Sequence, residues 1–218
     1  KLFIVFIVMR QHNLYLFVVI SLTNILLYLL SSYVLNLDKM FIHSLSEQLT
    51  SEQIQKVLSI REKWQWVQYA LVPLFIGVRV AIVSLLLDVG CLFFNEEIPY
   101  KRLFHMALLG ESIFLFVPIL KLCWFYFFQP DFSLEDLQYF YPLSLSNIIG
   151  PKTVATWLIY PLQIANIFEV VYFLFLSIQI DKAIGSTTEK GLNIVGCGYG
   201  VGLLLWVVGV MFFTLNMS

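Results

Sequence analysis

The chain has 218 residues, 60% of them hydrophobic, 17% aromatic and only 12% charged, with a net charge of -1. A soluble domain carries about 25% charged residues, so the composition excludes an ordinary water-soluble fold and points to a membrane protein with several spans. The balanced charge, without blocks of like sign, offers nucleic acid no footprint, and no nucleic-acid partner is expected.

Residue 1 is Lys, and the native start is expected either at Met9 or before residue 1. The apolar run from Lys1 to Val8 spans only about 12 Å as a helix, and residues 9–13 interrupt it. A cleaved signal peptide is not expected, because no small-residue cleavage site precedes the next apolar run.

A span needs about 20 residues for a ~30 Å hydrocarbon core, and five stretches reach that length. They are Leu14–Leu35, Val67–Phe94, Leu103–Phe128, Ala155–Ile180 and Leu192–Leu215. Lipid cannot satisfy backbone groups, so each is expected to be helical. The fold class is therefore all-α: a polytopic membrane protein with about five transmembrane helices and an amphipathic interfacial loop helix. Residues 1–218 form one membrane domain, 36–66 a long amphipathic loop and 67–215 the helical core.

In that loop, Thr50-Ser-Glu-Gln53 is a capping box, followed by Ile54, Val57, Leu58 and Arg61 at helical spacing. Trp64 and Trp66 then fall where an interfacial aromatic belt belongs. Ser51–Gln65 is expected to be an amphipathic helix on or near the membrane surface, separate from the second stretch or continuous with it, with a soluble partner-docking helix as the alternative.

The second stretch carries Arg79 and Asp88, and the third carries Glu111 and Lys121. A charge at the bilayer centre costs roughly 2.5–3.5 kcal/mol or more, so such residues face protein or water and find partners. The short link Asn95–Arg102 forces an antiparallel hairpin. Counting outward from a midpoint between Ile98 and Pro99 puts Asp88 level with Glu111 and Arg79 level with Lys121. The two layers are then roughly 14 Å apart along the axis, too far for direct pairing. Each acid is left protonated, facing a water-filled cleft, or paired with another helix. Lys121, near the end of its stretch, either snorkels outward or pairs likewise. Pro73 and Pro118 bend the two helices near the Arg79 layer.

Ser133-Leu-Glu-Asp136 reads as a cap before a short interfacial helix, and residues 142–149 as a re-entrant or interfacial turn. In the fourth stretch Gln163, Asn166 and Glu169 recur every third residue, one polar face of a single helix that serves as helix glue or lines a cavity. Glu169, near mid-span, is the expected partner of Arg79. The last stretch opens with Gly196, Gly198, Gly200 and Gly202, two interleaved small-xxx-small pairs that permit close helix approach. Gly191, near the start of that helix, is expected to tolerate a larger side chain.

Cys91, Cys123 and Cys197 lie in or at the ends of apolar stretches without CxxC spacing, so no disulfide framework is expected. His12, His43 and His105 lack metal-ligand spacing, and neither metal nor cofactor is expected. No HExxH, GxSxG or paired Asp motif points to an intramembrane enzyme. With the N-terminus inside, the inner side collects Lys1, Arg10, Lys101, Arg102, Lys182 and Lys190. The outer side collects Lys39, Lys56, Arg61, Lys63 and Lys152. Because most of the outer set lies in a long loop that the positive-inside rule discounts, an inside N-terminus and outside C-terminus are expected.

Four segments carry a resemblance: residues 97–104, residues 141–146 with Pro-Leu-Ser, residues 165–172 with Asn-x-Phe, and the polar turn from Thr187 to Tyr199. Together they resemble the Yip1 domain family, in particular its bacterial members, over Trp64–Leu215. The resemblance implies a five-helix, non-enzymatic protein of the bacterial inner membrane, with a cytosolic N-terminus, that works through partners. Eukaryotic relatives recruit small GTPases through a soluble N-terminal region that has no counterpart here, so that role does not carry over. The function expected is an accessory or scaffold subunit of a larger membrane complex, in contact with membrane lipids and a membrane-protein partner. The alternative is a small transporter or ion-coupled permease component using the charges at membrane depth.

Overall fold

A computed structural model describes residues 2–46, 49–150, 153–186 and 189–217. Lys1, Lys152 and Thr187 lie outside the described residues, as does the side chain of Arg10. Among the described residues the chain is helical and holds no strand, only one isolated bridge. Four helical segments are long and apolar enough to cross a membrane: His12–Val34, Ser51–Phe93, Tyr100–Phe127 and Lys190–Met217. They match the first, second, third and fifth apolar stretches. The fourth stretch is built differently.

Helix α1 (Leu2–Val34) runs on through residues 9–13 without a break. It ends at Asn36, in the left-handed region at φ 50°, a conformation that Asn tolerates better than most residues. A short α2 (Leu37–Ser46) follows. Helix α3 (Ser51–Phe93) starts at the Thr50 capping box, where the Thr50 N–H donates to Gln53 Oε1 at 3.0 Å. Its 43 residues make one continuous helix of about 64 Å. The helix expected over residues 51–65 is present, and it continues straight into the second stretch, one of the two arrangements the sequence left open. Asp38 of α2 pairs with Arg61 of α3 at 2.7 Å, and Arg61 also stacks on Phe41 at 4.7 Å, so α2 is clamped to this overhang.

Helices α4 (Tyr100–Phe114) and α5 (Phe116–Phe127) make one span with a tightened turn at Leu115. Pro118 lacks the N–H that would reach the Phe114 carbonyl, and Leu115 N–H turns to Ser112 O instead, at 3.3 Å. Two short helices, α6 (Leu134–Tyr139) and α7 (Leu145–Ile149), then form a lateral excursion. The fourth stretch is two helices, α8 (Thr156–Ile164) and α9 (Ile167–Ile184), separated at Ala165 and Asn166. The last segment is α10 (Lys190–Val195), a π turn (Gly196–Gly200) and α11 (Val201–Met217).

The core lies where α3, α4, α9 and α10 meet and includes Leu87, Leu103, Leu108, Tyr172, Leu176 and Ile194, all fully buried. Three contacts set the course of the broken stretch. Gly191 N–H donates to Asp181 Oδ1, Tyr199 meets Glu169, and Trp206 Nε1 donates to Tyr160 Oη at 2.7 Å. As the number on one strand of contacts rises, the other falls, so α8 and α9 together run antiparallel along α10 and α11. In contrast, α1 and α11 leave large apolar side chains open, among them Leu26, Leu205 and Phe212.

Candidate functional site

Arg79 of α3 points between two carboxylates from different helices. Its Nε lies 3.4 Å from Glu111 Oε1 of α4, and its Nη2 lies 3.9 Å from Glu169 Oε2 of α9. The guanidinium carbon sits 3.9 Å above the Phe114 ring and 5.8 Å from that of Tyr172, so the cation also gains from the aromatic faces. Glu111 is only 5% exposed and Glu169 9%, while the Arg79 side chain keeps 41% of its surface. Tyr199, in the π turn, donates its hydroxyl to Glu169 Oε1. Four elements, α3, α4, α9 and the π turn, therefore meet at this cluster.

The direct Arg79–Glu111 contact overturns the two-layer reading of the hairpin. Helix ends at Phe93 and Tyr100 place its midpoint between 96 and 97, not between Ile98 and Pro99. Arg79 is then level with 114, and Glu111 is only about 4.5 Å away along the axis, which two long side chains bridge. Asp88 and Lys121 stand outside the cluster. Asp88 is half-buried, roughly 14 Å along α3 from Arg79. Lys121 donates to the Leu137 carbonyl at 2.5 Å, capping the last turn of α6 rather than snorkelling to water.

The polar stripe of the fourth stretch is not the face of one helix, which corrects that expectation. Asn166 leaves the helix at φ -133° and acts as a splice. Its Nδ2 donates to the Gln163 and Ile164 carbonyls at 2.9 and 3.0 Å, and its Oδ1 accepts from Glu169 N at 2.9 Å. One amide thus serves the last turn of α8 and the first turn of α9, a pairing of donors and acceptor that only an amide side chain offers. Gln163 reaches sideways and donates to the Tyr139 carbonyl at 3.0 Å.

A break in a helix frees backbone groups that need other partners. Here the excursion between α6 and α7 satisfies them. Leu145 N–H donates to Ala165 O at 3.0 Å, and Ile167 N–H donates to Leu143 O at 3.2 Å, flanking the bridge between Ser144 and Asn166. Glu169 then sits in the first turn of α9, where the helix dipole favours a negative charge.

The four glycines of the last segment divide into two pairs. A Cβ on Gly198 would fall 2.2 Å from the Leu86 carbonyl and 3.1 Å from Gly90 Cα, and one on Gly202 would fall 2.5 Å from the Leu86 side chain. Gly198 and Gly90 therefore let α3 and the π turn meet backbone to backbone. Gly196 and Gly200 make only ordinary contact with Phe173, at 3.9 and 3.5 Å. The expected tolerance at Gly191 is corrected: a Cβ there would lie 2.2 Å from the Ser177 carbonyl, so this position is closed.

Two acids and one base leave the cluster with one formal negative charge. Glu111 Oε1 and the Tyr172 hydroxyl are buried without a hydrogen-bond partner. Cavities of about 840, 480 and 360 Å³ lie elsewhere, and Arg79, Glu111 and Glu169 line none of these three. The arrangement can fasten helices, and it can respond to a proton or cation, but it shows no nucleophile with an adjacent base. His105 Nδ1 contacts Asn13 Oδ1 at 2.5 Å, and no group of three potential metal ligands occurs among the described residues. Cys91, Cys123 and Cys197 are unpaired.

Phe114 and Gly90 carry no motif, and the roles of Tyr172 and Tyr199 at the cluster have no local signal in the sequence. The break did leave a signal: Asn166-Ile-Phe-Glu169 has the spacing of a helix N-terminal box. Comparison with protein-family models, with curated proteins and with solved structures found no match to this chain.

Proposed function

We propose that this chain is a non-enzymatic membrane protein of five crossings that serves as an accessory or scaffold subunit of a larger membrane complex. The broken α8–α9 line supplies the fifth crossing in this reading. The observation that carries it is the overhang of α3. About 64 Å of continuous helix exceeds a ~30 Å hydrocarbon core twofold. Its outer end, braced by α2, exposes Glu52, Gln55, Lys56, Ile60, Glu62 and Lys63. A rigid helix held out from the membrane with a mixed polar and apolar surface suits a protein partner. The resemblance to bacterial Yip1 domain proteins agrees with this role, and with an inner-membrane location, an inside N-terminus and an outside C-terminus.

The experiment is purification from native membranes in mild detergent, with wild type beside an Ile60→Asp, Lys63→Glu variant. Surface changes of this kind usually shift stability by no more than about 0.5 kcal/mol. A stoichiometric partner that the variant loses, at unchanged thermal stability, supports the reading. A protein that purifies alone and drives ion uptake in liposomes refutes it.

A second reading, an ion-coupled permease component, is favoured by one observation: the unbalanced carboxylate beside a broken helix. Discontinuous helices at mid-depth are where secondary transporters bind ions and substrates. Liposome uptake that Glu111→Gln abolishes supports this alternative.

A further inference from the structure

The largest of the three cavities, about 840 Å³, lies between α5, the α6–α7 excursion and the start of α9. We propose that it holds the hydrocarbon chain of a membrane lipid.

Its lining runs from the end of α5 to the start of α9. Trp124 and Gln129 mark the outer end, at the close of α5. Ile167 marks the inner end, the first residue after the helix break and two positions from Glu169 of the charge cluster. Between them the wall is formed by Leu120, Cys123, Phe140 and Leu143. Around it Phe127, Phe128, Leu143 and Ile148 are 63–81% exposed. Such a ring of open aromatic and branched side chains exceeds what a soluble surface tolerates and is stable against hydrocarbon, so the mouth opens to lipid.

Several of the polar side chains on the wall are already engaged. Trp124 Nε1 donates to Gln129 Oε1 at 3.3 Å, and Asn147 Nδ2 donates to Tyr141 O at 2.6 Å. Ser144 Oγ donates to Tyr141 O at 2.8 Å, and Asp136 Oδ2 accepts from Ser133 N and Oγ at 3.0 and 2.8 Å. No Lys or Arg is among the described residues of the lining, and Asp136 is its one acid. A phosphate headgroup finds no cation inside, so the chain rather than the headgroup is what the cavity selects. Its volume lies within the ~300–1,000 Å³ of ordinary ligand sites.

The full chain is reconstituted in phosphatidylcholine–phosphatidylglycerol vesicles with a trace of phospholipid bearing a diazirine at the tail end, irradiated and mapped by peptide mass spectrometry. Cross-links should fall on Cys123, Phe140 and Leu143 about tenfold more often than on Leu205 and Phe212 of α11, the ratio given by a ~1.4 kcal/mol preference. Cys123→Trp, which fills the cavity, should bring the two sites level. Even labelling of both sites in wild type overturns the proposal, and so does a folded Cys123→Trp protein with unchanged labelling. If Cys123→Trp does not fold, the wild-type ratio decides alone. Shielding of Cys123 and Phe140 by a cross-linked polypeptide assigns the cavity to a protein helix and overturns the proposal as well.

Discussion

The third and fourth apolar stretches each contain a proline and each are interrupted, yet the interruptions differ in kind. At Leu115 the chain stays in the right-handed helical region, φ -63° and ψ -25°, and the fault lies three residues before Pro118. One donor is missing and one turn tightens. At Ala165 and Asn166 the backbone leaves the helix entirely, to ψ 77° and then ψ 162°. Pro161 is not the cause, since its missing N–H would have served Trp157 and its own carbonyl accepts from Ala165 N at 3.0 Å. The break exists because Asn166 caps both helix ends and because Leu143 and Leu145 supply replacement backbone partners. A proline alone makes a kink; a true break needs a second piece of chain to complete it, and here the break delivers Glu169 to Arg79.

The comparison can be attacked first at what the break delivers. Arg79→Ala leaves two buried carboxylates without their cation, and removing one partner of a buried pair costs about 3–5 kcal/mol. Thermal unfolding in detergent should show the largest loss of any single change. A variant as stable as wild type would mean that Arg79 faces water rather than the cluster.

The π turn that aims Tyr199 comes next. Gly198→Leu must push α3 and the last segment apart and should cost about 1–3 kcal/mol or more. Gly209→Leu, where nothing lies within 4 Å, should be neutral or slightly stabilising, because Leu is the better helix former. Equal melting temperatures for both variants would remove the backbone contact with Gly90.

Asn166 separates the break from the kink more finely. Asn166→Ala loses both caps and should cost about 0.5–2 kcal/mol. Asn166→Asp keeps the acceptor for Glu169 N and loses the donors to Gln163 and Ile164, so it should fall between wild type and Ala. An Asp variant matching wild type would show that the carbonyl contacts contribute nothing.

Pro118→Ala is the mildest change. It restores one helical hydrogen bond, worth about 0.5–1.5 kcal/mol at most, and should leave stability level or raised. A loss like that of Asn166→Ala would erase the distinction between kink and break.

Much of this arrangement is legible in the residues, and the rest fails for identifiable reasons. Apolar length finds the spanning helices because lipid enforces helical hydrogen bonding. Thr50 and Ser133 announce their helix starts because capping is local chemistry. The depth at which Arg79 meets Glu111 escapes a symmetric count of the link, which puts the hairpin turn two residues too late, and four residues of register separate pairing from isolation. Gln163, Asn166 and Glu169 share a spacing that both an unbroken helix and a capped break produce. Only the contacts of Ala165 with Leu145 and of Ile167 with Leu143, 20 and 24 positions away, decide between them. The closed position of Gly191 depends on Ser177 in the same tertiary sense. Tyr199 is aimed by a π turn that no periodicity reports.

The central claim is that Arg79 is energetically coupled to the carboxylates of two other helices. Double-mutant cycles on Arg79→Ala with Glu111→Ala, and on Arg79→Ala with Glu169→Ala, test it most directly, read as folded yield and unfolding free energy in the same detergent. Each double mutant should recover part of the loss, with coupling energies within the ~0.5–3 kcal/mol seen for residues of one network. Additive losses in both cycles would contradict the account.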